Sequence, residues 1–337
     1  MASDDRVEQS KDAFLQLLSQ LEDQDFHGFD SFVRSALDEY HGQIHSHGDH
    51  EMSEAAPTGS FQPVSEVKMM RLGRIIQDLR TKVPLSAEAP GEQTVIPKTE
   101  DFADYTNDNT VHVDGFLFSE EDVDELCDQG KLSRNYCLDC NSKKVAPLNF
   151  ISHSASVLQL QFLYQVALAD QVKDKVIVDV GSRLGAVLYS GHLFTRAKRL
   201  IGVEINDWFC RLQRDMIRKY KMDDRIEIVN QDIQTVPELL LQADVVIMNN
   251  VFQFFSQVPV QQDIWKFIKA QTSQKPGLLL VTLPSLQEQL KEAGMSPQKQ
   301  MKGWVKEVEL DYEGGWFEDI NEDEIEEIKQ VHLYKVI

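Results

Sequence analysis

The chain has 337 residues, of which 42% are hydrophobic and four are cysteine, and its formal net charge is −21. This length and apolar content can form one large core with a smaller appended domain, while four cysteines are too few for a disulfide framework and suit a reducing compartment. The acidic charge disfavours broad binding to nucleic acid, and no apolar run has the length of a membrane span or the form of a secretory signal. We therefore expect a protein of the cytoplasm or nucleus that has no membrane partner.

The first 110 residues are predicted to be a helical extension with flexible linkers. Apolar residues recur at helical spacing in residues 8–22 and 29–40, which predicts two short amphipathic helices. Residues 41–64 and 84–110 are polar, lack that period and contain proline, so both are predicted to be linkers. The segment between these linkers predicts a third helix with an apolar inner face.

Residues 111–150 are predicted to form a small cap or insert. Val111–Phe118 is strand-like, and Ser119 is placed to cap a short helix that Gly130 can end. We expect this insert, together with the region before it, to cover the carboxyl ends of the sheet that follows, where open α/β sheets bind ligands.

Cys137 and Cys140 have the spacing of half a zinc site. Zinc needs four ligands in a tetrahedron, and Cys127 and His153 are the candidates for the other two. A second closely spaced pair, which would make the pattern specific, does not occur in the sequence. We therefore favour reduced cysteines in a tight turn over zinc and assign no metal ligands.

From residue 151 to residue 337 the pattern alternates between strands and helices. The predicted strands are 175–180, 199–204, 225–230, 243–248 and 277–283, and segments of helical length separate them. Such alternation predicts a parallel sheet with helices on both faces. The last part differs, because Trp304–Leu310 and Val331–Ile337 are strand-like and flank an acidic helix near 321–329. This arrangement indicates an antiparallel pair at the sheet edge.

The most informative stretch lies at the end of the first of these strands. Asp179 and Gly181 end the strand, Gly185 begins the segment that follows, and the next strand ends at the acid Glu204. A strand, a glycine turn, a helix and a strand ending in a carboxylate form a nucleotide-binding half-site. The turn lets the backbone approach the ligand, and the acid accepts hydrogen bonds from ribose hydroxyls.

Residues 151–337 resemble the class I S-adenosylmethionine-dependent methyltransferases. Asp179-x-Gly181-x-x-x-Gly185 is similar to that family's first motif, which wraps the methionine part of the cofactor, and Glu204 falls where the family has its ribose-binding acid. The resemblance implies a seven-stranded, Rossmann-like α/β sheet and S-adenosylmethionine as the cofactor. It also implies a set of cofactor-binding residues on the turn and on the ends of the next three strands: Asp179, Gly181, Ser182, Arg183, Gly185, Glu204, Asp232, Ile233 and Asn249.

Arg183 departs from the family pattern, which usually has another glycine between Gly181 and Gly185. A side chain at this position would crowd the cofactor if the backbone path were unchanged. Three outcomes are open: the side chain points outward, its guanidinium faces the methionine carboxylate, or the site no longer binds the cofactor. We expect cofactor binding to be retained, because four other motif positions agree with the family.

Asn249 and Asn250 end the fourth strand, where the family places the reacting methyl group. Paired asparagines at this point resemble the loop of the non-SET histone-lysine methyltransferases and the Asn-x-Leu/Phe-x-x-Phe loops of small-molecule methyltransferases. Methyl transfer mainly requires a nucleophile to be aligned and water to be excluded. The two amides are therefore candidate catalytic residues, and a nitrogen of a protein or small molecule is the expected acceptor.

Other functions compete with this one. A methyltransferase-fold binding or scaffold protein with weak or no turnover is the alternative that Arg183 favours. A nucleic-acid methyltransferase is disfavoured by the charge, and because Asn249–Phe252 keeps only the ends of an Asp/Asn-Pro-Pro-aromatic loop. The acidic segment 311–330 is either a solvated helix or a docking surface for basic protein segments.

Overall fold

The computed structural model describes most of the chain, namely residues 14, 29, 32–34, 64–92, 94, 96, 102–139, 144–315 and 320–337. Contacts between residues divide the chain into two units: residues 1–60 with 65–71, and residues 61–64 with 72–337. Within the described ranges no helix combines the length and the apolar character needed to cross a membrane.

The first unit is described at few positions. Phe14, Phe29 and Phe32 are helical, and their ring centroids lie 6.0 Å (Phe14 to Phe29) and 6.3 Å (Phe29 to Phe32) apart. The remainder of the helices predicted over 8–22 and 29–40, and the linker predicted over 41–64 up to residue 63, lie outside the described residues.

Short elements precede the large sheet. They are helix α1 (Glu66–Arg80), whose residues from Leu72 onward belong to the second unit, strand β1 (Thr110–His112), helix α2 (Glu120–Asp128), and strands β2 (Asn135–Cys137), β3 (Val145–Pro147) and β4 (Asn149–Ile151). β1 pairs in parallel with β4, and β2 pairs in antiparallel with β3. Ser119 caps α2 in a capping box with Asp122, as predicted, whereas the strand-like segment 111–118 is a strand only as far as His112.

Residues 84–92 begin the segment 84–110, which the sequence predicts to be a linker. Ala87 and Ala89 are buried in the same hydrophobic cluster as Leu72, and the Asp114 N–H donates to the Leu85 carbonyl. This segment and the insert 111–150 both belong to the second unit.

A seven-stranded sheet forms the centre of the second unit. Its strands are β5 (Val176–Val180), β6 (Arg199–Val203), β7 (Ile226–Val229), β8 (Val245–Asn249), β9 (Leu279–Leu283), β10 (Val305–Val308) and β11 (His332–Val336). The helices around them are α3 (Val157–Phe162), α4 (Ala186–Phe194), α5 (Asp207–Tyr220), α6 (Pro237–Gln242), α7 (Val258–Thr272), α8 (Leu286–Glu292), α9 (Pro297–Met301) and α10 (Glu322–Ile328).

The strand order is β10-β11-β9-β8-β5-β6-β7. β5 to β9 are parallel, while β11 runs antiparallel to both β9 and β10. The predicted edge pair is therefore β10 with β11, and β11 also joins the pair to the parallel strands. The seven-stranded, Rossmann-like α/β sheet predicted from the resemblance is confirmed.

Alternate residues of the central strands face two separate hydrophobic clusters. Ile177 and Leu200 pack in one cluster with α4 and α5, and Val178 and Ile201 pack in the other with α6 and α7. Both faces of the sheet are thus covered, which explains why β5 and β6 are nearly continuous apolar runs.

Candidate functional site

A cavity of about 380 Å³ lies at the carboxyl edge of the sheet. The chain adds β6 on one side of β5 and β8 on the other, so this edge contains the switch in strand order at which open α/β sheets bind ligands. Its size is within the range of about 300–1,000 Å³ that is usual for ligand pockets. Its wall includes seven of the predicted site residues: Gly181, Arg183, Glu204, Asp232, Ile233, Asn249 and Asn250.

The turn after β5 needs glycine at both predicted positions. Gly181 has φ 76°, and a Cβ added there would lie 2.8 Å from Val251 Cγ1. Gly185 has φ 88°, and its Cβ would lie 2.7 Å from Tyr189 Cζ. Both the left-handed backbone and the close approach exclude a larger residue without movement. Ser182 lies between them, buried, with its hydroxyl lacking a protein partner; Ser182 and Gly185 are not part of the cavity wall.

Glu204 follows β6 and places a carboxylate in the cavity wall. Its two oxygens accept backbone N–H groups, one from Arg183 at 2.9 Å and one from Asn206 at 2.7 Å. The side chain is almost fully buried, and burial raises its pKa although the two N–H donors oppose that shift. These two bonds fix the carboxylate against the glycine turn.

Asp179 is the fourth residue of β5 and lies behind the cavity wall. It pairs in register with Gly202 of β6 and is 3% exposed. Burial, followed by the neighbouring charge of Glu204, raises the pKa of the Asp179 carboxyl to about 8. The structure therefore places this residue next to Glu204 as a buried acid rather than as part of the cavity surface.

Arg183 occupies the turn in a conformation that is uncommon for a residue with a side chain, with φ 39°. Its guanidinium donates to Glu92 Oε1 at 2.6 Å and to the Ala87 carbonyl at 3.0 Å. The guanidinium carbon also lies 4.6 Å from the Phe209 ring centroid and 4.9 Å from that of Phe255, within cation–π range.

Arg183 is buried, at 8% exposed for the whole residue, and so its side chain does not point outward. It extends toward the segment 84–92, which brings Glu92 into the cavity wall beside it. One end of the cavity thus carries a buried pair of opposite charges, Arg183 and Glu92.

Asp232 and Ile233 follow β7 and lie in the cavity wall. Asp232 Oδ1 accepts the Gln234 N–H at 2.8 Å and so caps a short 3₁₀ turn, and Ile233 is buried. The Asn230 side chain donates to the Glu204 and Ile205 carbonyls, which ties this loop to the end of β6. The loops after two neighbouring strands are therefore held in one arrangement.

Asn249 ends β8, and Asn250 follows it with φ 47°. The Asn249 amide donates to the His153 carbonyl at 3.4 Å, and the Asn250 N–H donates to the Leu283 carbonyl at 2.8 Å. Both asparagines also line a second cavity of about 500 Å³. They therefore form a boundary that the two cavities share.

His112 and His153 form a pair near this boundary. His112 Nδ1 lies 2.8 Å from His153 Nε2, and the His153 ring packs on Phe254 and Phe255. Burial, together with the positive charge of Arg183 and the neighbouring His112, lowers the pKa of His153 to about 3. His153 is consequently neutral at physiological pH and suits a structural role.

The described residues contain no group of three or more His, Cys, Asp or Glu side chains that could hold a metal ion. Cys137 donates its thiol to the Asp139 carbonyl at 2.9 Å, and His153 pairs with His112. Cys140 lies outside the described residues, so the complete ligand set considered from the sequence is not described.

The sequence did not predict that Glu92 and Phe209 contact Arg183, nor that His112 pairs with His153. Glu92 lies in a segment that lacks any periodic pattern, and 91 positions separate it from Arg183. The one signal in the sequence is the arginine between the two glycines of the turn. If its guanidinium is buried, it needs an acidic partner.

No family model matches this sequence, and no curated protein matches it. Solved structures do match: an RNA methyltransferase from Salinibacter ruber in complex with S-adenosyl-L-homocysteine is 18% identical, covers 50% of this chain and 84% of that chain, and has a TM-score of 0.32. A SAM-dependent O-methyltransferase from Thermotoga maritima is 15% identical, covering 55% and 67% of the two chains with a TM-score of 0.35. The M1A22 tRNA methyltransferase TrmK from B. subtilis is 15% identical, covering 49% and 60% with a TM-score of 0.32.

Proposed function

We propose that this chain is an S-adenosylmethionine-dependent methyltransferase whose cofactor binds in the first cavity. The observation that carries the proposal is the meeting of the glycine turn, the Glu204 carboxylate and the Asn249–Asn250 pair around one cavity at the switch in strand order. Each lies at the end of a different strand, and the fold alone brings them together.

The lining residues fit the parts of this cofactor. The Glu204 carboxylate is a buried acceptor suited to the two ribose hydroxyls. Ile233, Val260 and Ile264 provide an apolar wall for adenine, with Asp232 as the polar group beside it. Because Arg183 and Glu92 carry opposite charges, they match the carboxylate and ammonium of the methionine end. We assign cofactor binding to Asp179, Gly181, Ser182 and Gly185 through the turn that they build.

The bound cofactor supplies an electrophilic methyl group on a sulfonium. The protein's part is then to orient a nucleophile and to keep water out. Asn249 and Asn250 lie between the two cavities, and their amide oxygens are suited to accept hydrogen bonds from an acceptor N–H. This placement supports a nitrogen of a protein or small molecule as the acceptor, with both asparagines as catalytic residues.

A binding or scaffold protein without turnover is the second candidate. It is favoured by one observation, the Arg183–Glu92 pair, because the two charges already satisfy each other at the end of the cavity. A cofactor that binds there has to compete with that pair for the guanidinium.

Transfer of a labelled methyl group separates these candidates. Full-length protein is incubated with methyl-labelled S-adenosylmethionine and with protein, small-molecule and RNA fractions of a cell extract, and the Glu204→Ala variant serves as the control. Label that enters the protein or small-molecule fraction only with the wild-type chain supports the proposal. Label in RNA alone would overturn the acceptor assignment. No label in any fraction, while S-adenosylhomocysteine still binds, would favour the scaffold.

A further inference from the structure

The second cavity begins where the first one ends. Its volume is about 500 Å³, and it shares Asn249 and Asn250 with the first cavity. The exit of β9, at Leu283 and Pro284, forms part of the same wall. A molecule in this cavity would therefore lie against the same two asparagines as a molecule in the first cavity.

The charged side chains in the wall of the second cavity are all acidic. Glu288, Glu292 and Glu327 line the cavity, and none of the described residues in the lining is lysine, arginine or histidine. Glu327 is partly buried and accepts a hydrogen bond from Ser156; burial raises its pKa, and the nearby Glu120 and Glu324 add to that shift. Glu292 and Glu327 are partly buried and Glu288 is exposed. Three acidic side chains around one cavity, with no basic side chain among the described lining residues, favour the arrival of a cation.

The remaining wall also suits a cation with an apolar stem. The rings of Phe102, Phe150 and Phe254 line the cavity, and aromatic faces attract ammonium groups while packing on methylene chains. The Ser152 and Ser154 hydroxyls lie in the same wall, and Ser154 donates to the buried Asp114 carboxyl at 2.6 Å. Hydrogen-bond acceptors and aromatic rings thus line the same cavity.

We propose that the second cavity is the acceptor site and that it binds a protonated alkyl amine, such as a lysine side chain or a free alkylamine. The acceptor role rests on the proposed function, whereas recognition of the cation does not. Before such an amine can act as a nucleophile, one N–H bond must break, leaving its electron pair on nitrogen. The proton then passes to a carboxylate oxygen of Glu327, whose pKa is raised by burial.

Saturation-transfer NMR on the full-length protein tests this site. The probes are Nα-acetyl-lysine methylamide, its neutral counterpart Nα-acetyl-norleucine methylamide, and butylamine. We expect both amines to bind and the norleucine compound to bind at least about tenfold more weakly, because it lacks the charge-assisted bonds. Equal binding of the norleucine compound would overturn the proposal. Tighter binding of the lysine probe than of butylamine points to a peptide-borne amine, and the reverse order points to a free amine; both support the cation site.

The Glu292→Gln/Glu327→Gln variant should lose about tenfold or more in amine affinity. Glu326→Gln is the matched control, because Glu326 lies on the same helix, is exposed and pairs with Lys329. Full amine binding by the double variant, with its thermal unfolding unchanged, would overturn the site. Calorimetry with S-adenosylhomocysteine on the same samples keeps the two proposals apart. In the wild-type chain, absence of that binding while the amine still binds would contradict the proposed function, and absence of amine binding while S-adenosylhomocysteine still binds would contradict this inference.

Discussion

Arg183 Nη1 donates to Glu92 Oε1 at 2.6 Å, and this bond joins the glycine turn to a segment 91 positions earlier in the chain. The two side chains are 10% and 12% exposed, so the pair is nearly removed from water. Phe209 and Phe255 hold the guanidinium between their rings. The glycine turn therefore accommodates an arginine at position 183, because the side chain is buried against Glu92, Phe209 and Phe255.

A double-mutant cycle tests this relationship. Arg183→Met should lower the free energy of unfolding by about 3 kcal/mol, because it leaves the Glu92 carboxylate buried without its cation. Adding Glu92→Gln to Arg183→Met should restore part of that loss, which gives a coupling energy above about 1 kcal/mol. Urea unfolding of the wild-type chain, both single variants and the double variant measures it. Additive losses would show that the pair does not couple.

Gly181→Ala should destabilise the protein by two separate effects. The left-handed backbone costs about 1 kcal/mol for alanine, and the added Cβ would lie 2.8 Å from Val251 Cγ1, which has to move. Gly130→Ala is the matched control, because Gly130 has φ 69° but nothing within 4 Å of an added Cβ. We expect the Gly181 variant to lose more stability than the control in thermal unfolding. An equal loss in both variants would mean that the close approach to Val251 is unimportant.

Asp179→Asn should change how stability depends on pH. Since the pKa of Asp179 is raised to about 8 in the folded chain, from an ordinary value of 3.8, the native protein holds a proton that the unfolded chain loses. This contribution to stability is complete below about pH 4 and is lost as pH rises to 8. As pH rises across this window, the free energy of unfolding of the variant should therefore increase relative to that of the wild type by up to about 1.4 kcal/mol per pH unit. A difference in unfolding free energy that stays constant from pH 5 to pH 8 would contradict the assignment.

His153 should make stability depend on pH in the opposite direction, with stability lost as pH falls. Its pKa falls from 6.5 to about 3 on folding. Below pH 6.5 the unfolded chain therefore binds a proton at His153 that the native chain does not bind. This contribution is complete above pH 6.5 and is lost as pH falls toward 3, by up to about 3 kcal/mol at pH 4. His153→Phe keeps a ring against Phe254 and should show a shallower loss of stability in urea unfolding between pH 7 and pH 4. The same slope in wild type and variant would place the acid sensitivity elsewhere.

The sheet was predictable because its strands are marked locally. Apolar runs bounded by polar residues located the strands to within about two residues, and the glycines and acids at their ends mark the edge where a cavity forms. Glu204, Asp232 and Asn249 lie at or just after the ends of three different strands. Because parallel strands end at one edge, their meeting follows from the topology of the sheet.

The rest of the cavity wall was not predictable, because it depends on contacts between distant segments. Glu92 lies in a stretch that has the composition of a linker, and only its packing against Arg183 gives it a place. Likewise His112 and His153 meet because β1 pairs with β4, two three-residue strands with no alternating pattern long enough to recognise.

The affinity for S-adenosylhomocysteine, measured by calorimetric titration of the full-length chain, tests cofactor binding in the first cavity most directly. Glu204→Gln removes the charge that is assigned to the ribose hydroxyls, and Glu238→Gln, an exposed residue outside both cavity walls, is the control. We expect wild type and control to bind equally and Glu204→Gln to bind about 10- to 100-fold more weakly. No heat of binding with folded wild-type protein, or an unchanged affinity in Glu204→Gln, would contradict cofactor binding in the first cavity.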